Sequence, residues 1–445
     1  VTALEIAAAL RRGEVSAAGV VRSALDDIER GNARLNAFTA VFAERALRRA
    51  AHVDAEIAAG RDPGPLAGVP FAAKNLFDVA GIVTRAGAVV TAGDAPARAD
   101  ADAVRALENA GAILVGATNM DEFAYGFVTE NAHDGATHNP HDRARIAGGS
   151  SGGSASAVAG GLVPLALGSD TNGSIRVPSA LCGLFGIRPT QGRISRRGAY
   201  PLTNSTDTVG PFARTAGDLT AAFAALAGPP DGGARVTGSL RVARLGGYFE
   251  RALLPEAAAA TDRICSALHA NEIVEVPEAA RARAAAFLLT AAEAGALHAA
   301  RLRTNAFDYD PATRDRLIGG ALMPAPWYLR AQRFRSWYFE RFVALFERFD
   351  VLVAPATPYP ATRIGEKTIV IDGVEMEVRP NLGAFTQPIT LAGVPVVAVP
   401  VVEPGSLPLG VQLIGRPGSD ELLLQVAREL ERAGAAAAGP VPVAA

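Results

Sequence analysis

Two hydroxyls and one amine carry the chemistry that this sequence can do. Ser150 and Ser174 lie in the segment GGSSGGSASAVAGGLVPLALGSDTNGS, which runs from Gly148 to Ser174. Glycine-lined turns of this kind let a carbonyl approach several backbone N–H groups with little side-chain bulk in the way. A serine needs a base before it becomes a nucleophile, and the segment contains no histidine. Composition offers a substitute: of the 43 basic residues only Lys74 and Lys367 are lysines, and the rest are arginine. Arginine keeps its proton in a protein, whereas a buried lysine can lose it. Lys74 ends an apolar run within LAGVPFAAKNLFDVAG that reads as a buried strand, where loss of water lowers an amine pKa from its usual value of about 10.4. Two readings of Lys74 stand side by side at this point: a general base, or a strand-end lysine reaching back to water.

Taken together, GGSSGGSASAVAGGL at 148–162, GSDTNGSIRVPSALCGLFGIRPTQGRIS at 168–195 and VPFAAKNLFD at 69–78 resemble the amidase signature family. The likeness continues through MDEFAYGFVTEN at 120–131 and into the C-terminal half. It implies a triad of a lysine, a serine held by a cis peptide bond and a nucleophilic serine, which motif position places on Lys74, Ser150 and Ser174. Neutral Lys74 would take a proton from Ser150 as Ser150 takes one from Ser174, and the Ser174 oxygen would attack an amide carbonyl to give an acyl-enzyme. Backbone N–H groups across Thr171, Asn172, Gly173 and Ser174 are the expected oxyanion hole. Gly149 and Ser151 are expected beside the substrate, with Ser151 and Ser154 as supporting hydrogen-bonders and Asp170 as a brace for the loop. The fold implied is α/β, a mixed β-sheet of about eleven strands enclosed by helices, which periodicity alone does not supply.

The elements that must position these groups follow an α/β order. Residues 1–60 read as a helical region, with TALEIAAALRRG stopped by Gly13 and Ser16 capping the next helix. The lysine strand, the helix ADAVRALENAG and the buried run AILVGAT at 112–118 then give the helix-then-strand order of a parallel unit. Beyond the serine segment, a helix capped at Asp218, a strand at 240–247, a helical region at 280–349, core strands in VLVAPATPYP, VPVVAVPVV and GVQLIGRPG, and a helix in DELLLQVARELERAG are expected, before a frayed tail AAAAGPVPVAA. No linker divides the 445 residues, so one domain spanning 1–445 is expected.

Global features narrow the function classes. A net charge of −2 argues against a nucleic-acid surface or a polybasic membrane patch. No apolar run is long enough to span a bilayer, and VTALEIAAALRRG lacks the form of a signal peptide, so a cytoplasmic enzyme is expected. Because the first residue is valine, a few residues are expected to precede it. His133, His138 and His141 fall among turn residues at spacings that match no zinc pattern, which favours a solvated loop over a metal site. Neither a metal nor a cofactor is expected. Cys182 and Cys265 read as buried thiols rather than a disulfide.

Substrate identity rests on the resemblance. The glutamine-using subunit of tRNA-dependent amidotransferases is similar along the chain, including the segment RLIGGALMPAPWYLRAQRFR at 316–335. There an arginine holds the glutamine carboxylate, which carries over to Arg316, and an aspartate holds the ammonium, which falls here on Gly383. Without an acid at 383 a buried ammonium is poorly tolerated, so glutamine is disfavoured. An arginine without the acid suits a small anionic amide, and the chain resembles the 1-carboxybiuret hydrolase branch of the family in PAPWYLRAQRFR, TQPI and TENAHDGATHNPHD. The expected reaction is ammonia release from a compact carboxylated urea derivative, with Arg316 clamping the carboxylate and Tyr125 lining the pocket. Arg316 paired within its helix to Asp310, and Tyr125 as plain core, are the competing readings. A glutaminase subunit, another small-amide or allophanate-type hydrolase, and a non-catalytic scaffold are the alternatives. The branch also implies a small helical partner similar to the third subunit of the amidotransferase, with homo- and hetero-oligomers both open.

Overall fold

The computed structural model describes residues 1–228 and 240–439. Eleven strands form one mixed sheet: β1 (Phe38–Val41), β2 (Pro70–Lys74), β3 (Ile113–Thr118), β4 (Leu165–Asp170), β5 (Phe185–Arg188), β6 (Thr208–Ala213), β7 (Val242–Leu245), β8 (Glu272–Val274), β9 (Val351–Pro355), β10 (Val396–Val401) and β11 (Leu409–Ile414). Their spatial order is β1-β3-β2-β4-β6-β5-β10-β11-β9-β7-β8. β2 runs parallel to both β3 and β4, and β7 runs parallel to β8 and β9, while the central pairs are antiparallel. Every residue of β2, β3, β4, β6, β9, β10 and β11 is buried, the pattern of strands covered by helices on both faces.

The parallel set β3-β2-β4 decides where chemistry can occur. In such an arrangement all the carboxyl ends open on one side, where ligands bind in the crevice beyond the strand ends. Lys74 is the last residue of β2 and Asp170 the last of β4, so the strand register brings the amine and the start of the serine turn to the same edge. A helix over Gly152–Ala159, built wholly from buried small residues, packs against β2 and β4. The loop that leads into it carries Ser150 to that edge.

The N-terminal region contains both expected helices, Ala3–Arg11 and Ala17–Leu35, the second capped by Ser16, whose hydroxyl accepts from the Gly19 N–H. The helical reading fails at Phe38–Val41, which is the edge strand β1, because it pairs with β3. The helix expected to start at Asp218 spans Ala216–Ala227 and is capped by Thr215. Asp218 instead accepts the N–H groups of Ala3 and Leu4, closing the first turn of the N-terminal helix 215 and 214 positions away in sequence. The tail is also better held than its composition implies: Ala436 is buried and the Ala437 N–H donates to Pro400 O, while residues 440–445 lie outside the described residues. An exposed hairpin, Thr368–Ile371 with Val374–Glu377, is an element the strand pattern above omits. Its turn is the pair Asp372 and Gly373, both at positive φ, which is an ordinary two-residue hairpin signal. No helix among the described residues is long and apolar enough to cross a membrane.

Candidate active site

Lys74 is fully buried, and its Nζ donates to Ser150 Oγ at 2.7 Å and to Ser169 Oγ at 2.9 Å. Burial drives its pKa from 10.5 down to about 7, against the opposing pull of Asp121, Asp207 and Asp170. Its hydrogen bonds run to hydroxyls, while each nearby carboxylate is occupied by donors of its own. Asp121 accepts the N–H groups of Val128 and Thr129 and an Arg379 nitrogen. Asp207 accepts from Thr171, Leu202 and Thr203. Asp170 lies between two fully buried guanidiniums, Arg176 and Arg188, which hold its carboxyl well below the usual range despite burial. Asp170 is thus the brace expected of it, and it also receives the N–H groups of Gly173 and Ile175.

The peptide bond between Gly149 and Ser150 is cis, and the Ser150 carbonyl accepts the N–H of Asp121. Ser174 is 2% exposed and lies in the turn between β4 and the helix Arg176–Cys182. That turn is fixed from several sides. Thr171 donates to Asp207 Oδ1 at 2.7 Å, Asn172 Nδ2 donates to Thr290 Oγ1 at 2.8 Å, and Thr386 Oγ1 donates to Asn172 O at 2.6 Å. Gly173 has φ of +135°, and a Cβ there would sit 2.3 Å from Thr386 Oγ1, so only glycine fits. Ser151 and Ser154 are both buried: Ser151 bonds the backbone of Ser169, and Ser154 bonds Thr118 and Leu167 O.

A cavity of about 750 Å³ opens over this turn, within the size range of small-molecule sites. Ser174, Thr171 and Asn172 form one part of its wall, and Tyr125, Phe127, Arg283, Arg316 and Arg379 form others. Tyr125 and Arg316 therefore line the pocket, while Gly149 and Ser151 lie outside its lining. Arg316 forms no ion pair with Asp310, which caps the helix Pro311–Ala321 instead. Its guanidinium lies over the Tyr125 ring, 4.2 Å from the centroid, with Nε donating to Ala312 O and Nη2 donating to Tyr125 O. Gly383 packs against Phe127: a Cβ there would stand 2.5 Å from the far end of the ring, which would have to turn aside.

The three histidines occupy two small hairpins with buried residues between them, so the stretch is more ordered than a solvated loop. His133 Nε2 bonds Glu122, and His138 and His141 bond backbone carbonyls. Ser169, Asp121, Asp207, Arg283 and Arg379 are site residues that sequence reasoning missed. Ser169 and Asp121 lie inside the motif segments and Asp207 lies 12 residues beyond one, whereas Arg283 and Arg379 reach the cavity from segments with no motif.

A family model described as Amidase matches residues 19–424. The AtzE subunit of 1-carboxybiuret hydrolase from Pseudomonas sp. (strain ADP) is 47% identical to this chain, covering 97% of it and 98% of the relative. The A subunit of glutamyl-tRNA(Gln) amidotransferase from Symbiobacterium thermophilum is 38% identical, covering 93% of each chain. Among solved structures, an s-triazine catabolic enzyme described as part of a vestigial protein complex, with an inhibitor bound, superposes with a TM-score of 0.95 at 46% identity over 99% of this chain and 100% of that one. A further amidase superposes at 0.90 with 33% identity, covering 97% of this chain and 100% of the other.

Proposed function

The chain belongs to the amidase signature family, and from this we propose that it hydrolyses a small carboxylated amide, of the 1-carboxybiuret type, with release of ammonia. The observation that carries this reading is the fully buried amine held 2.7 Å from Ser150 Oγ, at the strand edge from which the Ser174 turn springs, with Ser174 and arginines in the wall of the cavity over that turn. With its pKa near 7, a large fraction of the amine is unprotonated at neutral pH, as a base must be. Lys74 accepts the Ser150 proton, Ser150 accepts the Ser174 proton, and Ser174 Oγ adds to the amide carbonyl.

The developing oxyanion is held by main-chain N–H groups of the 171–174 turn. The Gly173 N–H donates to Asp170, which leaves that role to Thr171, Asn172 and Ser174. The proton returns along the relay to the leaving nitrogen, ammonia departs, and water repeats the sequence on the acyl-enzyme. Position 383 is a glycine and supplies no acid to pair an ammonium, which supports an anionic amide over glutamine. A small partner subunit belongs to the same proposal, given the complex formed by the s-triazine enzyme, and co-purification from the native source tests it.

The decisive experiment assays ammonia release from 1-carboxybiuret, biuret, malonamate and glutamine. Turnover of the carboxylated amides, absent in Ser174→Ala, together with a fluorophosphonate adduct on Ser174, is the expected result. Release from glutamine alone, or no adduct, overturns the reading.

A further inference from the structure

Three residues that line the cavity, Tyr125, Asn172 and Arg379, each carry one buried polar atom, Oη, Oδ1 and Nε, with no hydrogen-bond partner among the described residues. Buried groups of this kind are normally satisfied, so three around one cavity require an explanation. Their chemistry is complementary rather than random. Asn172 presents an acceptor, because its Nδ2 is committed to Thr290, and it stands two residues from Ser174. Tyr125 and Arg379 present donors.

The arginines of the cavity differ in what they have left to offer. Arg283 is committed to Gln387, Pro380 O and Asn381, and so holds the 380–387 segment in place. Arg316 has both Nε and Nη2 on backbone carbonyls and one face on Tyr125. Arg379 follows the hairpin that ends at Glu377, and only its Nη2 is engaged, on Asp121 Oδ1 at 2.8 Å. Asp121 is shared with the N–H groups of Val128 and Thr129, so it compensates the Arg379 charge only in part. Arg316 and Arg379 are near enough that each charge disfavours the other, and an anion between them removes that repulsion.

Resting on the hydrolase reading of this cavity, we propose that Arg379 is a specificity-determining residue whose guanidinium, held by Asp121 through Nη2 alone, binds the substrate carboxylate at the cavity wall together with Arg316. The ligand class is therefore a short primary amide with a carboxylate at its far end. A guanidinium presents paired donors in a plane that matches a carboxylate, and a lysine does not reproduce that geometry.

Calorimetric titration of the Ser174→Ala protein with malonamate and with malonamide tests this without turnover, because the two probes differ only in the carboxylate. Malonamate is expected to bind more tightly. Adding Arg379→Gln should weaken malonamate by about 10- to 100-fold, as expected for losing a hydrogen bond to a charged group, and weaken malonamide far less. Arg379→Lys should fall between, and it replaces the glutamine variant if thermal unfolding shows that the latter does not fold. Equal weakening of both probes would make Arg379 a mere brace for Asp121 and overturn the proposal, as would an absence of preference for malonamate in the parent. Selective malonamate binding in a protein that releases no ammonia from any amide would sink the hydrolase reading and leave the role of Arg379 standing.

Discussion

Replacing Lys74 with methionine separates the cost of burying an amine from its use as a base. The amine titrates near 7 in the fold against 10.5 for an ordinary lysine, and a pKa unit corresponds to about 1.4 kcal/mol. Relative to an unfolded chain with an ordinary lysine, the fold carries a penalty of about 5 kcal/mol at pH 6, about 3 kcal/mol at pH 8 and about 1 kcal/mol at pH 9.5. The sign follows from proton counts. Between pH 7 and 10.5 the unfolded chain holds a proton that the folded chain has released, so raising the pH stabilises the fold across that window. Below it both states hold the proton, and above it neither does.

Methionine fills a similar volume without charge, so Lys74→Met escapes the penalty and loses the hydrogen bonds to Ser150 and Ser169, on the order of 1 kcal/mol each. The inactive variant should therefore be more stable than the parent by about 3 kcal/mol at pH 6, with the advantage vanishing at about pH 9. Urea denaturation of both proteins at about pH 6, 8 and 9.5 measures the difference. Glu122, which burial pushes up to about 7, titrates in both proteins and cancels from it. A stability difference that stays flat across this range would refute the neutral amine, and with it the role of Lys74 as base.

Further outcomes are expected. The kcat/KM for a carboxylated amide should fall about tenfold per pH unit below 7 and level off above it, because protonation removes the base; Lys74→Arg should be inactive at every pH, which a rate profile of both proteins checks. Gly383→Ala should cost about 1–3 kcal/mol by crowding Phe127, and Phe127→Ala in the same protein should recover most of it; additive losses in thermal unfolding would contradict that contact. Asp170→Asn, which leaves two buried guanidiniums short of their counter-charge, should cost about 3–5 kcal/mol in a denaturant titration.

Much of the candidate site is legible in sequence because its parts sit at strand ends and in glycine turns, where local pattern and chemistry coincide. Lys74 stood out by its rarity and its apolar neighbours, and Ser174 by the turn around it. Capping was legible where it is local, as at Ser16. It misled at Asp218, whose carboxylate serves a helix from the other end of the chain, a pairing that no window of sequence contains. The strand β1 was hidden for a similar reason: four residues between two helices become a strand only because β3 offers an edge. The cavity arginines were the hardest to read. Arg316 was marked by motif position, but in a chain with 41 arginines nothing local distinguishes Arg283 or Arg379, which reach the cavity from a long helix and from the short helix after the hairpin.

The electrostatics of Lys74 turn on a balance between burial and three carboxylates, and that balance has a testable direction. If Asp121, Asp170 or Asp207 paired directly with the amine, the ion pair would hold its proton and a base would be lost. Each acid is instead occupied by arginines, hydroxyls or backbone N–H groups, and the amine meets the hydroxyls of Ser150 and Ser169. The carboxylates act at a distance, opposing desolvation enough to leave the pKa near neutrality, where a base is most effective. Removing one charge should therefore move the activity profile toward acid. Asp207→Asn keeps an oxygen to accept from Thr171 or Thr203, while the lost charge lets burial lower the Lys74 pKa further. The midpoint of the acid limb of kcat/KM should shift to lower pH while the plateau drops as the 171–174 turn loosens. A shift toward alkali would mean that the profile reports some group other than Lys74.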